Sequence, residues 1–437
     1  MESGMRQRLM KWLKLEPGEG VAVAWAFAYF FLLLASYYIL RPVRDEMGIA
    51  GGIAKLPWVF TGTFIAMLAA VPLFGFITSR LPRRRFLPLV YGFFILNLLL
   101  FHGAFQIEGW REITARAFFI WASVFNLFVV SVFWSFMVDI FSSAQGKRLF
   151  GLIAAGGTGG AIAGPSLTAL LVVPIGPMNL LLVSALLLAG AVLCVRQLGL
   201  WSERKAPAPQ DGQAAQAQSA QAQGAQEALG GSILAGLTLI LRSPYLLGVA
   251  LFMLLFTTLS TFLYFEQAHI VAQSFGSPAE RTRFFALLDL AVNTLTVLTQ
   301  VLITSRLLTR LGVAGSLALV PLLSALGFAL LALTPVLAAL AGFQVLRRAG
   351  DYAITRPARE MLYTVVDREA KYKAKNALDT LVYRGGDALA GWLFTGLKSL
   401  GLGLAAIAWV AVPIALAWAA VSVWLGRRQA ALSRLGN

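Results

Sequence analysis

Twelve apolar segments, each about as long as a membrane-spanning helix, follow one another along this chain of 437 residues. A helix of roughly 20 apolar residues crosses the hydrocarbon core of a bilayer. The composition agrees, because 58% of the residues are hydrophobic and only 13% are charged, whereas soluble domains are about 25% charged. One aqueous core cannot bury so much apolar surface, so the sequence predicts an all-α integral membrane protein with 12 transmembrane helices.

The segments form two groups of six on either side of a polar stretch. The first six lie at about 20–46, 56–79, 86–106, 113–140, 149–173 and 177–199. The second six lie at about 244–267, 284–306, 313–333, 335–363, 377–399 and 403–426. Between them, residues 201–232 contain "APAPQDGQAAQAQSAQAQGAQ", whose composition is typical of a flexible linker. We therefore expect one six-helix bundle in residues 1–200 and another in residues 233–437.

The two groups of six share short repeats at a nearly constant offset. The sequence "ITSRL" occupies residues 77–81 and recurs at residues 303–307, 226 residues later. The sequence "GGAIAG" at residues 159–164 is similar to "GGDALAG" at residues 385–391. Two matches in equivalent places indicate an internal duplication. A duplication of six spans around a central linker resembles the layout of the major facilitator fold.

Basic residues are divided unevenly between the two sides of the predicted membrane. With both termini in the cytoplasm, the inside segments hold 23 Lys and Arg residues, the outside segments 8, and the spans the remaining 5. Cytoplasmic loops of membrane proteins carry this excess. We therefore expect a multi-pass protein of a bacterial inner membrane, monomeric in the lipid bilayer, with both termini cytoplasmic. The scattered placement of the basic residues argues against nucleic acid as a partner.

Signatures of catalysis and of metal binding are missing from the sequence. The chain has one cysteine and two widely separated histidines, too few for a clustered metal site. The glycine run of residues 151–164 lacks the Lys-Ser/Thr of a phosphate-binding loop. Small residues at this spacing let membrane helices approach closely, so we interpret the run as a packing surface. We predict no enzyme activity, no catalytic residue, no cofactor and no metal.

The stretch "LRPVRDEMG" places charged residues at the end of the first span, where hydrophobicity alone would favour leucine. We expect Arg41 and Arg44 to contact an anionic group of a small-molecule solute, with Asp45 orienting them. We expect Glu46 to remain at the solvated end of the helix.

The tenth and eleventh spans carry charges at a depth where they are unfavourable. Arg347, Arg348 and Asp351 lie about 12 to 16 residues into the tenth span, or roughly 18–24 Å at 1.5 Å per residue. Arg384 and Asp387 belong to the eleventh span. An ionised side chain near the bilayer midplane costs at least about 2.5–3.5 kcal/mol, so it should face a wet cavity or a partner. We predict that these residues bind solute in a polar cavity shared with the first span.

A buried ion-pair network is the alternative interpretation of these charges. Arg347 and Asp351 lie four residues apart, as do Arg356 and Glu360, and this spacing places each pair on one helix face. Packed apolar residues would stabilise a bundle as well as buried pairs do, so we favour solute binding or gating. The residues assigned to gating or coupling are Glu266, Asp289, Arg359, Glu360, Arg80 and Arg84.

These motifs resemble those of the bacterial and plastid ATP/ADP translocases, which are nucleotide transporters. "LRPVRD" at residues 40–45 matches a first-span motif L-R-x-x-K-D, with arginine in place of lysine. "FWSF" at residues 133–136, followed by Lys147 and Arg148, is similar to a fourth-span motif. The pattern R-A-x-x-Y…K-E-M…K-x-K…D…R-x-G is similar to Arg348, Ala349, Tyr352, Arg359, Glu360, Met361, Lys373, Lys375, Asp379, Arg384 and Gly386. The resemblance implies a major facilitator fold and transport by alternating access.

The chain departs from that family at three charged positions. The family's fourth-span glutamate has no counterpart in "WASVFNLF", and two family lysines are replaced by Asp351 and Asp387. A carboxylate in place of a cation opposes the binding of a polyanion. The resemblance therefore implies the fold and the mechanism more strongly than it implies nucleotide as the cargo.

The sequence predicts a secondary active transporter that exchanges a small polar anion, nucleotide-like or phosphorylated, across the inner membrane. The alternative is a proton-coupled carrier of a neutral, zwitterionic or cationic solute, in which Asp351, Asp387 or Glu266 carries the proton. A scaffold that moves no solute is disfavoured, because it has little need of charges at the midplane.

Overall fold

The computed structural model describes residues 16, 18–80, 83–205 and 233–435. Within these ranges, the side chains of residues 74–85, 205, 233–235, 368 and 369 are outside the description. Most of the predicted linker, residues 206–232, therefore lies outside the described residues.

The described part of the chain is helical throughout, with short connections. In the first half the helices are α1 (Gly20–Ala50), α2 (Leu56–Arg80), α3 (Arg83–Ala104), α4 (Arg111–Ile140), α5 (Ser143–Ile175) and α6 (Leu180–Lys205). In the second half they are α7 (Ile233–Arg242), α8 (Pro244–Ser274), α9 (Pro278–Thr299), α10 (Ser305–Leu333), α11 (Leu337–Gly350), α12 (Arg356–Leu362), α13 (Arg368–Ala377), α14 (Tyr383–Ser399) and α15 (Leu404–Leu435). Each of the 12 predicted membrane segments overlaps these helices, and the helix ends differ from the predicted bounds by up to nine residues.

Within the described ranges, nine helices are long and apolar enough to cross a membrane, and the longest, Pro278–Leu333, contains two predicted spans. These two spans are divided at Gly312, where φ is 63°. This left-handed conformation is strained for any residue with a Cβ atom. The tenth and eleventh spans are absent from the nine because their charged residues make them too polar. They are also interrupted by π-helical turns at Asp351–Thr355 and Leu378–Val382. The fold is that of 12 transmembrane helices in two halves of six, as predicted.

The glycine run of α5 is a packing surface, as the sequence predicts. A Cβ atom added at Gly160 would collide with the backbone oxygen of Phe31 in α1. In the second half, a Cβ atom at Gly386 in α14 would collide with Thr257 in α8. Gly386 lies 226 residues after Gly160, and Thr257 lies 226 residues after Phe31. The duplication read from two short repeats therefore extends to the helix contacts themselves.

The described helices cluster into two compact units, each of which takes one segment from the other half of the sequence. Of the described residues, unit 1 contains those within 1–52, 69–208 and 275–290, and unit 2 contains those within 53–68, 209–274 and 291–437. The beginning of α2 therefore packs in unit 2, where Trp392 donates a hydrogen bond of 3.0 Å to Thr61. The beginning of α9 packs in unit 1 against α1. These two segments are the corresponding ends of the second and eighth spans.

Candidate functional site

In unit 1 the predicted binding residues of α1 are paired with carboxylates. The Nε atom of Arg41 lies 3.5 Å from Oδ2 of Asp289 in α9. The Nη2 atom of Arg44 lies 2.7 Å from Oδ1 of Asp45, and the guanidinium lies 5.0 Å from the ring centre of Phe119. The structure thus brings together Arg41 and Asp289, to which the sequence assigned different roles, solute binding and gating.

Glu46 is not at a solvated helix end, and that expectation was wrong. Its side chain has 0% exposure and accepts two hydrogen bonds from Arg281, at 2.7 Å from Nε and 2.8 Å from Nη2. Arg281 lies in the first turn of α9 and also donates to the backbone oxygen of Phe275 at 3.1 Å. No sequence pattern indicated this pair, because its two members are 235 residues apart. Burial and two-point geometry make it the tightest link between α1 and α9 among the described contacts.

In unit 2 the ion pairs of the tenth span differ from the predicted four-residue spacing. Asp351 pairs with Arg356 at 3.2 Å, five residues away, whereas Glu360 pairs with Lys375 of α13 at 2.7 Å. The Arg356–Glu360 pair, which the alternative interpretation of an ion-pair network offered, is therefore wrong. The π-helical turn at Asp351–Thr355 widens the helix, so residues five apart lie above one another. Proline at position 357 ends the usual hydrogen-bond ladder here and favours such a turn.

Two π-helical turns contact each other beside these charges. The Thr304 hydroxyl, at the end of the turn formed by Gln300–Thr304, donates a hydrogen bond of 2.9 Å to the backbone oxygen of Ala353. Gln300 donates to the backbone oxygen of Tyr352 at 3.4 Å. A π-helical turn leaves backbone carbonyl groups without their usual partners, and side chains from the neighbouring helix satisfy them here. The interruption of the tenth span is thus fixed in place by the eighth.

Arg347 is buried with neutral hydrogen-bond acceptors, and the charge of Asp351 also acts on it. With 6% exposure, it donates from Nη1 to the Ser260 hydroxyl at 2.8 Å and from Nη2 to Oε1 of Gln344 at 3.2 Å. Gln344 in turn donates to Oε1 of Gln267 at 2.7 Å. The sequence analysis missed Ser260, Gln267 and Gln344, although a polar residue three positions before Arg347 on the same helix was a usable signal.

Arg384 and Asp387 lie together at the start of α14. Their closest atoms, Nη1 and Oδ2, are 3.7 Å apart. Oδ1 of Asp387 accepts a hydrogen bond of 3.2 Å from Thr261 in α8. Since Thr261 follows Ser260, consecutive residues of α8 connect the charges of the tenth span with those of the eleventh. The structure therefore gathers four of the predicted binding residues around one segment of α8, directly or through a paired neighbour: Arg347, Asp351, Arg384 and Asp387.

The remaining predicted residues lie at differing degrees of burial. Arg348 and Arg359 are half-buried, Glu360 is exposed, and Glu266 is buried with 2% exposure. Oε1 of Glu266 has no hydrogen-bond partner in the part of the chain that the structure describes. Arg80 and Arg84 lie at the ends of α2 and α3, and their side chains are outside the described part.

A second buried carboxylate that sequence reasoning missed lies before the first turn of α1. Glu19 has 1% exposure and accepts hydrogen bonds from Gln145 at 2.7 Å and from Arg148 at 2.9 Å. Burial raises the pKa of this carboxyl, but the hydrogen bonds from Gln145 and Glu16 and the charge of Arg148 outweigh burial and hold the pKa below its ordinary value. The pair links α1 to the start of α5, which a capping box formed by Ser142 and Gln145 fixes.

Comparison with known proteins adds a family and a fold. A family model described as Major Facilitator Superfamily matches residues 20–350. The structure is similar to that of the nucleoside transporter NupG, with a TM-score of 0.62 and 15% identity over 95% of this chain and 99% of that chain. It is also similar to an auto-inhibited POT family peptide transporter, with a TM-score of 0.60 and 15% identity over 94% of this chain and 96% of that chain. A bacterial homologue of the human lysosomal transporter Spinster, inward-facing and unoccupied, gives a TM-score of 0.59 and 14% identity over 96% and 98% of the two chains. No curated protein matches the sequence.

Proposed function

Because the chain belongs to the Major Facilitator Superfamily and has the fold of a secondary transporter, we propose that it exchanges a small polar anion across a bacterial inner membrane. The anion is nucleotide-like or phosphorylated, and both termini of the carrier lie in the cytoplasm. The similar solved structures are named for nucleosides, peptides and a lysosomal carrier. At identities of 14–15% they support the fold and leave the cargo to be argued from this chain's own residues.

The observation that carries the proposal is the burial of Arg347 with neutral hydrogen-bond acceptors. A guanidinium is always charged, and this one is buried with only a hydroxyl and an amide oxygen as its hydrogen-bond acceptors. The charge of Asp351 acts on Arg347, but no carboxylate among the described residues accepts a hydrogen bond from it, and a buried cation of this kind is unfavourable unless a further anion neutralises it. An anionic solute would do so, which is the role that the charge depth predicted from the sequence.

The proposed mechanism follows from the contacts of α9 with α1. In alternating access a central site is exposed to one side of the membrane at a time, because contacts that close one side of the carrier form when those that close the other side separate. We propose that Arg281–Glu46 and Arg41–Asp289 form in one state of this cycle and separate in the other. Arg41 would then exchange Asp289 for the solute, which reconciles its predicted binding role with its observed partner.

A proton-coupled carrier is the second candidate, and Glu266 favours it. Glu266 is buried, and one of its carboxyl oxygens has no hydrogen-bond partner among the described residues, an arrangement that is unfavourable for a charged group. Such a group is a natural proton carrier, and its cargo would be neutral, zwitterionic or cationic. Uptake that responds to an imposed pH gradient and disappears in Glu266→Gln would favour this candidate.

The experiment that tests the anion-exchange proposal is transport by the purified full-length protein in liposomes. Thermal-shift screening against nucleotides and sugar phosphates first selects a solute, since a ligand that binds the folded state raises its apparent stability. Exchange of that solute should fall at least about tenfold in Arg44→Ala and Arg347→Ala, equivalent to about 1.4 kcal/mol. The matched control is Arg310→Ala, an exposed arginine of α10. Unchanged exchange in both arginine variants would refute the assignment.

A further inference from the structure

The hydrogen bonds of Arg347 leave one edge of its guanidinium underused. Arginine presents Nε and one terminal nitrogen side by side, and this edge matches two oxygens of a carboxylate or phosphate. In the described part of the chain, Nε of Arg347 has no hydrogen-bond partner. Nη2 makes only a long bond of 3.2 Å to the Gln344 amide. The opposite nitrogen, Nη1, is fixed by Ser260 at 2.8 Å.

The neighbouring polar groups hold this arginine in position. Gln344 is oriented by its own donation to Gln267 at 2.7 Å, and both amides are buried with 4% exposure. The Gln344 oxygen is a neutral acceptor that an incoming anion can replace, because a charge-assisted bond is about twice as strong as a neutral one. Fixed partners and a replaceable acceptor are the features of a preorganised oxyanion site.

The charges around Arg347 restrict how much negative charge a ligand can bring. Arg356 and Arg384 already lie 3.2 Å and 3.7 Å from carboxylate oxygens of Asp351 and Asp387. A second or third phosphate group would extend among these carboxylates and be repelled by them. The charge of Asp351 also acts on Arg347, so Arg347 can neutralise one terminal oxyanion but not the further charges of a polyphosphate.

We infer that Arg347 binds a single terminal oxyanion of the solute, a carboxylate or a phosphate monoester, through its Nε–Nη2 edge, and that polyphosphates are rejected. This rests on the proposed function and changes its range of cargo: nucleoside di- and triphosphates are excluded, a monophosphate fits, and a carboxylate fits as well. Ser260 and Gln344 are positioning residues that hold the guanidinium.

The test uses purified full-length protein and simple anions at matched ionic strength. Inorganic phosphate and acetate should raise the midpoint of thermal unfolding above that in chloride, and pyrophosphate should bind at least about tenfold more weakly than phosphate. The larger of the phosphate and acetate shifts identifies the chemistry of the natural oxyanion. Pyrophosphate binding as tightly as phosphate, or no shift with either simple anion, would overturn the inference.

Variants assign the site to Arg347. Arg347→Gln should weaken phosphate or acetate binding at least about tenfold, whereas Arg310→Gln, on an exposed surface of the same unit, should not. If Arg347→Gln does not fold, Arg347→Lys retains the charge without the two-point edge and should also lose about tenfold. Full affinity in the folded variant contradicts the site. Anion binding without exchange in liposomes would refute the proposed function and leave the anion site intact. Exchange in liposomes together with unchanged anion affinity in Arg347→Gln would refute the site and leave the proposed function intact.

Discussion

The Glu46–Arg281 pair should contribute more to the folded state than any exposed ion pair of unit 1. Glu46 has 0% exposure and Arg281 has 14%, and two hydrogen bonds of 2.7 Å and 2.8 Å connect them. Removing one partner of a buried pair costs about 3–5 kcal/mol, because the other charge remains buried. Arg281→Gln should therefore destabilise more than Glu46→Gln, since it leaves the more deeply buried charge and also removes the bond to Phe275.

A double-mutant cycle measures this coupling. Unfolding in mixed micelles that contain an increasing fraction of a denaturing detergent can be followed by the fluorescence of the 11 tryptophans. The double variant Glu46→Gln/Arg281→Gln should be less destabilised than the sum of the single variants by at least about 1.5 kcal/mol. Glu112–Arg116, a pair 2.6 Å apart in α4 with an exposed glutamate and a half-buried arginine, is the control and should couple by about 0.3–0.5 kcal/mol. Equal coupling energies in the two cycles would refute the assignment of the buried pair as the link between α1 and α9.

Three further predictions concern packing, pH and the π-helical turns. Gly160→Ala should lose about 1–3 kcal/mol because its Cβ meets the backbone of Phe31, whereas Gly151→Ala, which meets nothing within 4 Å, should be neutral or gain up to about 1 kcal/mol in the same unfolding assay. The pKa of Glu19 is lower in the folded protein than its ordinary value of 4.5. The ionised carboxylate therefore stabilises the folded protein above that pH, and this contribution is lost as the pH falls through the folded pKa. Glu19→Gln should flatten the acid side of a plot of melting temperature against pH. Thr304→Val removes the donor to Ala353 and should cost about 1–3 kcal/mol, with faster hydrogen exchange in residues 351–355; unchanged exchange there would contradict the role of this bond.

The sequence predicted the membrane spans well because their signal is local. A run of about 20 apolar residues needs no partner to be recognised, and every predicted span overlaps observed helices whose ends lie within nine residues of the expected bounds. The small-residue surface of α5 was also predictable, because only close helix approach explains glycine at that spacing. The charges of the tenth and eleventh spans were likewise recognisable as unusual in lipid.

Contacts that depend on local irregularity or on distant partners were not predictable. The π-helical turn at Asp351–Thr355 changes which residues lie on one face, so the four-residue rule paired Arg356 with the wrong carboxylate. The partner of Glu46 lies on the eighth span, and no pattern within either segment indicates the contact. Neutral polar residues such as Gln344 carry weak signals, since an amide within a span is also compatible with helix packing.

The most direct test of the proposed function is whether uptake into liposomes requires solute inside them. Liposomes containing the protein are loaded with the solute found in the thermal-shift screen, and uptake of labelled solute is compared with and without internal solute and with and without an imposed pH gradient. We predict uptake that requires internal solute, is insensitive to the pH gradient and is lost in Arg347→Ala. Uptake into empty liposomes that is driven by the pH gradient and abolished by Glu266→Gln would contradict anion exchange and favour the proton-coupled carrier.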